Sequence, residues 1–294
     1  MIRVVSSPEA CVRAVLPQRS WLRALRVGQW AHFALLPLAA FEPSRGRAGL
    51  VALARGALVA CSVLGSGYLL NALADRKMDR PGKNPLAEHD VADAWTGVLL
   101  LGALATGASA LGPPVVRVAT AVCLVSGALY SVGPRIKAWP LLGTLANATN
   151  FAPLLWVGAA GQSGGTPPGP PGGETLPWMV PITVAFVCLL LQGQLLHEAV
   201  DRAEDHAGGV RTTVLFAGDR WAAALASGLG FGLVALAWRL HGAWFAWPLA
   251  VVYGGAFPVV LASRGSDHEA MTRARRAHRL SALVTGAWIL VWLR

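Results

Sequence analysis

The sequence predicts an all-α fold, a polytopic membrane bundle of about nine transmembrane helices. Three observations carry this reading. The 294 residues are 54% hydrophobic and only 14% charged, with a mean hydropathy of +0.50. Several apolar runs approach the length a bilayer crossing needs, and they are apolar all round rather than along one stripe. The charges gather in short segments between those runs, where membrane orientation calls for them.

Taken in order, the spans fall at roughly 27–41, 50–74, 92–112, 114–131, 141–161, 178–197, 221–239, 243–262 and 279–293. The first and last are short for a full crossing, and Arg19 to Arg26 read as an interfacial extension of the first. Arg3, Arg13, Arg19, Arg23 and Arg26 precede that run without a compact apolar core and cleavage site, so no signal peptide is expected. Between the fifth and sixth spans lies Ser163-Gly-Gly-Thr-Pro-Pro-Gly-Pro-Pro-Gly-Gly-Glu-Thr175, which cannot be helical and carries almost no charge. We read residues 1–294 as a single transmembrane domain of two halves, about 20–161 and 178–293, joined by the 162–177 connector.

Of the 25 Lys and Arg, nineteen fall on the side of the N-terminus and of segments 76–83, 135–137, 202–220 and 264–279, and six on the other. The basic side is expected to face the cytoplasm. The net charge of +10 is therefore mainly a topology signal; it favours anionic lipid and a polyanionic substrate, not nucleic acid. Segment 264–279 reads as a basic loop touching headgroups. Cys11, Cys61, Cys123 and Cys188 are scattered with no CxxC pair, which argues against a disulfide framework or a zinc site.

Two acidic clusters stand out at the ends of apolar runs. Asn71, Asp75 and Asp79 are spaced i, i+4, i+8, which places them along one helical face. Asp201 and Asp205 repeat the i, i+4 interval. Carboxylates are costly at membrane depth and persist there mainly for function. A carboxylate pair one turn apart can share a hard cation such as Mg²⁺, which keeps waters and bridges phosphate oxygens. Two facing pairs would hold one diphosphate through its metals, and both lie on the basic side. Arg76, Lys77, Arg80 and Lys83 surround the first cluster, Arg135 and Lys137 occupy a short loop, and Arg211 follows the second. Arginine suits bidentate phosphate recognition and lysine acts as a mobile point charge. His197-Glu198 precede the second cluster; they could orient an acceptor or take its proton, but a structural hydrogen bond to a loop is the plainer expectation. His32, in the first span, could face a cavity, but a packing role is the plainer expectation.

The set Asn71-x-x-x-Asp75-x-x-x-Asp79 with Arg80 and Asn84-Pro-Leu-Ala87, Tyr130-Ser131 with Arg135-x-Lys137, and Asp201-x-x-x-Asp205 with Gly209-Val-Arg-Thr-Thr213 resembles the UbiA-type intramembrane prenyltransferases. Arg26 and Gln29-Trp30 add to the likeness, which extends over about residues 20–290. The resemblance implies helices around a central cavity with cytoplasmic cap loops. It implies that Asp75, Asp79, Asp201 and Asp205 bind two Mg²⁺ holding an isoprenoid diphosphate, with Asn71 assisting the first metal or the diphosphate. Arg135 and Lys137 would neutralise the departing diphosphate, with Arg80 and Arg211 as further contacts. The expected activity is prenyl transfer to a small, aromatic acceptor. Alternatives on the same scaffold are a glycerol or sugar phosphate acceptor, or a membrane terpene cyclase.

Overall fold

The computed structural model describes residues 20–79, 84–87, 91–160 and 179–292. Arg80, Lys83, the N-terminal arginines before Ser20 and the 162–177 connector lie outside the described residues. Among those described, every regular element is helical. We label them α1 Ser20–Ala24, α2 Val27–Trp30, α3 Gly46–Asp75, α4 Ala92–Ala110, α5 Pro114–Ser131, α6 Leu142–Phe151, α7 Met179–Ala207, α8 Thr213–His241, α9 Ala243–Leu249, α10 Phe257–Arg264 and α11 His268–Trp292.

Five segments are long and apolar enough to cross a membrane: Pro43–Asp75, Pro114–Ser131, Met179–Ala207, Thr213–Leu240 and Ala243–Arg264. The other expected spans are also helical, but two are broken. The first passes from α2 into a tighter 3-10 run, Ala31–Ala40, that contains Pro37. Proline removes a backbone donor and crowds the preceding turn, so a regular α-helix cannot pass through it. The fifth ends its α-helix at Phe151 and finishes as a 3-10 turn, Ala152–Leu155, around Pro153. The basic 264–279 segment is not a loop: α11 begins at His268 and carries most of it.

Three apolar clusters are buried among the described residues, and two of them flank the central cavity. One joins Val59, Val63, Leu64, Val116, Cys123, Leu154 and Leu155 with Met179 and Ile182. The other joins Leu189, Leu195, Leu196, Ala226, Leu233, Tyr253, Phe257, Leu261 and Met271. Leu99, Leu100, Val118, Val251 and Val259 are exposed on outer faces, as lipid-facing positions require. Among the described residues Cys61, Cys123 and Cys188 are free thiols.

The eighth span shows how tightly the second half is built. Its middle, Ala250–Ala256, is a π-helical turn between α9 and α10. Such a turn loosens the backbone ladder, and Gln192 answers it by donating to the carbonyls of Tyr253 and Ala226, both at 2.7 Å. Gly230 of α8 lies against this turn; a Cβ there would stand 2.1 Å from the Tyr253 carbonyl oxygen, so only glycine allows the approach.

Candidate active site

Asn71 and Asp75 occupy the last turns of α3, and the loop after α5 folds back over them. Gly133 and Arg135 both take positive φ, 67° and 49°, which turns the chain sharply before a single 3-10 turn, Ile136–Ala138. For arginine this conformation costs on the order of 1 kcal/mol, and strain of this kind tends to be kept where it serves a site. The result brings two cations onto one carboxylate. Lys137 Nζ donates to Asp75 Oδ1 and Oδ2 at 2.6 and 2.5 Å and to Asn71 Oδ1 at 2.8 Å. Arg135 Nη2 donates to Asp75 Oδ1 at 2.8 Å. Ser131 Oγ completes the group with a 3.3 Å bond to Asn71 Oδ1. Burial pushes the Lys137 ammonium below the usual lysine range, and the charge of Asp75 opposes that shift in part.

Asp79 departs from expectation. The α-helix ends at Asp75, so the three residues do not share one unbroken helical face. Pro81 lies two residues past Asp79, and the residue before a proline is disfavoured in helix. The turn keeps an amide bond from Asp79 back to the Asp75 carbonyl at 2.9 Å. Asn84, which is buried, then ties the segment to α3: its amide donates to the Ala72 carbonyl at 2.8 Å and to Asp79 Oδ2 at 3.1 Å, and its oxygen accepts from Leu86 N–H at 3.0 Å. Asn84 thus helps to orient Asp79. The sequence marked its motif but gave it no role.

On α7 the same i, i+4, i+8 pattern reappears as His197, Asp201 and Asp205. His197 Nδ1 stands 3.3 Å from Asp201 Oδ2. Arg202 pairs with Asp219 of α8 instead of with the motif acids. Arg211 is exposed and lies over the Phe216 ring, 6.0 Å from its centre, so it does not reach the cavity described below. Glu198 is buried and structural. It accepts from Thr144 Oγ1 at 2.7 Å, Gln194 Nε2 at 3.2 Å and the Val214 amide at 3.2 Å. Thr213 hydrogen-bonds Thr144 and accepts from the Leu141 amide at 2.9 Å. Glu198 therefore ties α7 to the first turn of α6 and the start of α8, and Thr213 ties α8 to Leu141, just before α6.

Beneath both motifs lies a cavity of about 490 Å³ between the two cores. Asn71 and His197, each one turn before a motif aspartate, reach its lining. Its walls include Phe33, Phe151 and Phe186, whose rings meet at 4.5 Å (Phe33 to Phe151) and 6.4 Å (Phe33 to Phe186). His32 lines it as well and packs with its ring 4.1 Å from Phe33. Arg275, His278 and Arg279 of α11 also line it. Sequence reasoning missed these three, although their i, i+3, i+4 spacing is the available signal.

Among the described residues, no three His, Cys, Asp or Glu gather closely enough to hold one ion by themselves. Separate carboxylates above an open cavity suit Mg²⁺, which binds through one or two carboxylates and takes the rest of its shell from water and phosphate. The donors on offer, carboxylates and the Asn71 amide oxygen, are hard oxygens, as that ion prefers.

The UbiA prenyltransferase family model matches residues 31–285. A UbiA homolog from Archaeoglobus fulgidus, bound to GPP and Mg²⁺, aligns with a TM-score of 0.64 at 21% identity, covering 92% of this chain and 99% of that one. A digeranylgeranylglyceryl phosphate synthase aligns with a TM-score of 0.70 at 13% identity, covering 94% and 98%. The apo UbiA homolog from Aeropyrum pernix K1 aligns at 0.59 and 18% identity, again over 94% and 98%. No curated protein matches the chain.

Proposed function

The chain belongs to the UbiA prenyltransferase family and is a membrane prenyltransferase; from that premise we propose that it transfers a prenyl group from an isoprenoid diphosphate to a small aromatic acceptor inside its cavity. Asp75 and Asp79 on one side, and Asp201 and Asp205 on the other, would hold two Mg²⁺, with Asn71 assisting the first. The observation that carries this reading is the cluster of Lys137 and Arg135 on Asp75 above an apolar, aromatic-walled cavity. The structures of an Archaeoglobus homolog with GPP or DMAPP and Mg²⁺ support the donor and the metal.

When bound, the divalent ions supply Lewis-acid neutralisation of the diphosphate oxygens. The remaining steps belong to the side chains. Before substrate arrives, Asp75 keeps Lys137 and Arg135 in place at the mouth. Lys137 and Arg135 then face the diphosphate and stabilise the charge that grows on its bridging oxygen as the allylic C–O bond lengthens. Phe33, Phe151 and Phe186 line the cavity interior, where an allylic cation is shielded from water and attracted by π-electrons. The acceptor ring attacks C1 of that cation and afterwards loses its proton. Asn84 and Glu198 act at one remove, Asn84 by helping to orient Asp79 and Glu198 by tying α7 to α6 and α8. The excess of basic residues on the motif side supports an orientation with the N-terminus and the acid motifs in the cytoplasm. The two cores support two halves of one domain, with the cavity between them.

The test is diphosphate release and product mass for purified protein in lipid, with Mg²⁺, prenyl diphosphates of increasing length, and aromatic acceptors beside an acceptor-free control. Acceptor-dependent release that disappears in Asp75→Ala and Asp201→Ala is expected. Equal release without acceptor, with a cyclised product, would assign the site to a terpene cyclase.

A further inference from the structure

Two ties run from α7 to α8, one on each side of Asp201 in the sequence. Glu198 and Arg202 are four residues apart and share one edge of the helix, whereas His197, Asp201 and Asp205 line the neighbouring edge. Glu198 accepts from the Val214 amide, and Arg202 pairs with Asp219. Between those two partners α8 is broken at Gly218, which takes φ 76° and ψ 166° inside the helix. A residue with a Cβ is strained in that conformation.

The fold makes room for Asp219 from two directions. Gly218 turns the chain immediately before it. Gly265, at the corner between α10 and α11, closes against it: a Cβ there would stand 2.5 Å from Asp219 Cγ. The start of α11 packs on the same stretch of α7, with His268 Nδ1 3.0 Å from the Val200 carbonyl. The Arg202 and Asp219 side chains are only 23% and 26% exposed, and Arg202 Nε is buried without a hydrogen-bond partner. Asp219 is therefore the group that holds Arg202 on the α8 edge.

Without that carboxylate, Arg202 has two others within helical reach. Glu198, four residues back, is already engaged by Thr144, Gln194 and the Val214 amide. Asp205, three residues on, belongs to the acid motif. A guanidinium on Asp205 takes oxygens that a divalent ion needs and sets its own charge against the ion. Resting on the metal-binding reading above, we propose that Asp219 is a positioning residue for the second motif. It acts through Arg202, retaining that cation on α8 and keeping it off Asp205 and the metal Asp205 would bind. Asp219 is not a ligand itself.

The experiment uses full-length protein in lipid and an unreactive prenyl thiolodiphosphate. It reads the Mg²⁺ concentration that half-saturates binding of this probe, with the melting temperature alongside. Asp219→Asn raises that concentration about tenfold, the effect of one charge-assisted bond competing with the ion. Adding Arg202→Gln to Asp219→Asn brings it back to within about twofold of wild type, although the ion pair is gone. Asp219→Glu keeps most of the wild-type value. A merely structural tie gives the opposite result: the double variant needs at least as much Mg²⁺ as Asp219→Asn, and that outcome overturns the proposal. So does a folded Asp219→Asn with an unchanged Mg²⁺ requirement. Where Asp219→Asn does not fold, Arg202→Gln alone decides. A Mg²⁺ requirement no higher than wild type supports the proposal, and a higher one overturns it. A wild type that binds the probe equally well without Mg²⁺ overturns the metal reading and this inference with it. A Mg²⁺-dependent wild type beside a silent Asp219→Asn overturns this inference alone.

Discussion

Replacing Lys137 with methionine separates what this residue does before the reaction from what it does during it. In the resting site its ammonium touches both oxygens of Asp75 and the Asn71 oxygen, at 2.5, 2.6 and 2.8 Å. Lys137 and Asp75 are only 15% and 16% exposed, so solvent screens the pair weakly. A metal ion that takes up Asp75 must displace this contact. Charge-assisted bonds of this kind contribute about 1.5–3 kcal/mol each, but Arg135 stays on the carboxylate and water fills the gap. The net competition relieved is about 1–2 kcal/mol, which strengthens apparent Mg²⁺ affinity roughly 5- to 30-fold. In the transition state the loss runs the other way. Removing one donor to a developing oxyanion costs about 2.7–4 kcal/mol, on the order of 10²–10³ in kcat. The assay pairs a Mg²⁺ titration of inhibitor binding with single-turnover rates. A variant whose Mg²⁺ affinity and rate fall together, or whose rate drops less than about fivefold, would refute the reasoning.

The lowered pKa of Lys137 gives a pH signature. The ammonium is the working form, so activity is lost as pH rises through a value below the ordinary lysine range; in Lys137→Arg, whose guanidinium does not titrate there, the alkaline limb of kcat/KM should vanish. Asn84→Ala removes three bonds and leaves the Leu86 amide without its acceptor. We expect weaker apparent Mg²⁺ affinity by about tenfold with a smaller change in kcat, read from Mg²⁺ titrations at saturating donor, for a loss of roughly 1–3 kcal/mol. Glu198→Gln keeps the shape but weakens the bonds to Thr144 and the Val214 amide, and should lower stability by roughly 1–2 kcal/mol, seen as a lower melting temperature in lipid together with reduced kcat.

Much of the bundle is written plainly in hydropathy. The span read as 114–131 coincides with α5, and the acid motifs stand where apolar runs end. Faces are another matter. The basic start of α11 reads from sequence as a loop touching headgroups, and only its helix sets Arg275 and Arg279 against the cavity. Spacing that assumes a continuing helix sets Asp79 on the α3 face, whereas α3 ends at Asp75. The π turn at Ala250–Ala256 leaves no local mark; it depends on Gln192, sixty residues away in the chain, to satisfy Tyr253. The hydrogen bond to a loop expected at His197-Glu198 goes to helices instead: Glu198 accepts from Thr144 of α6 and the Val214 amide of α8, elements that only the tertiary fold brings together.

The central claim is that both acid motifs hold one diphosphate through divalent ions above a single cavity. Its most direct test is binding of an unreactive prenyl thiolodiphosphate to protein in lipid, with and without Mg²⁺, for wild type, Asp75→Asn and Asp201→Asn. The account predicts Mg²⁺-dependent binding that either substitution abolishes. Binding that needs no metal, or that survives in one of the two variants, would contradict it.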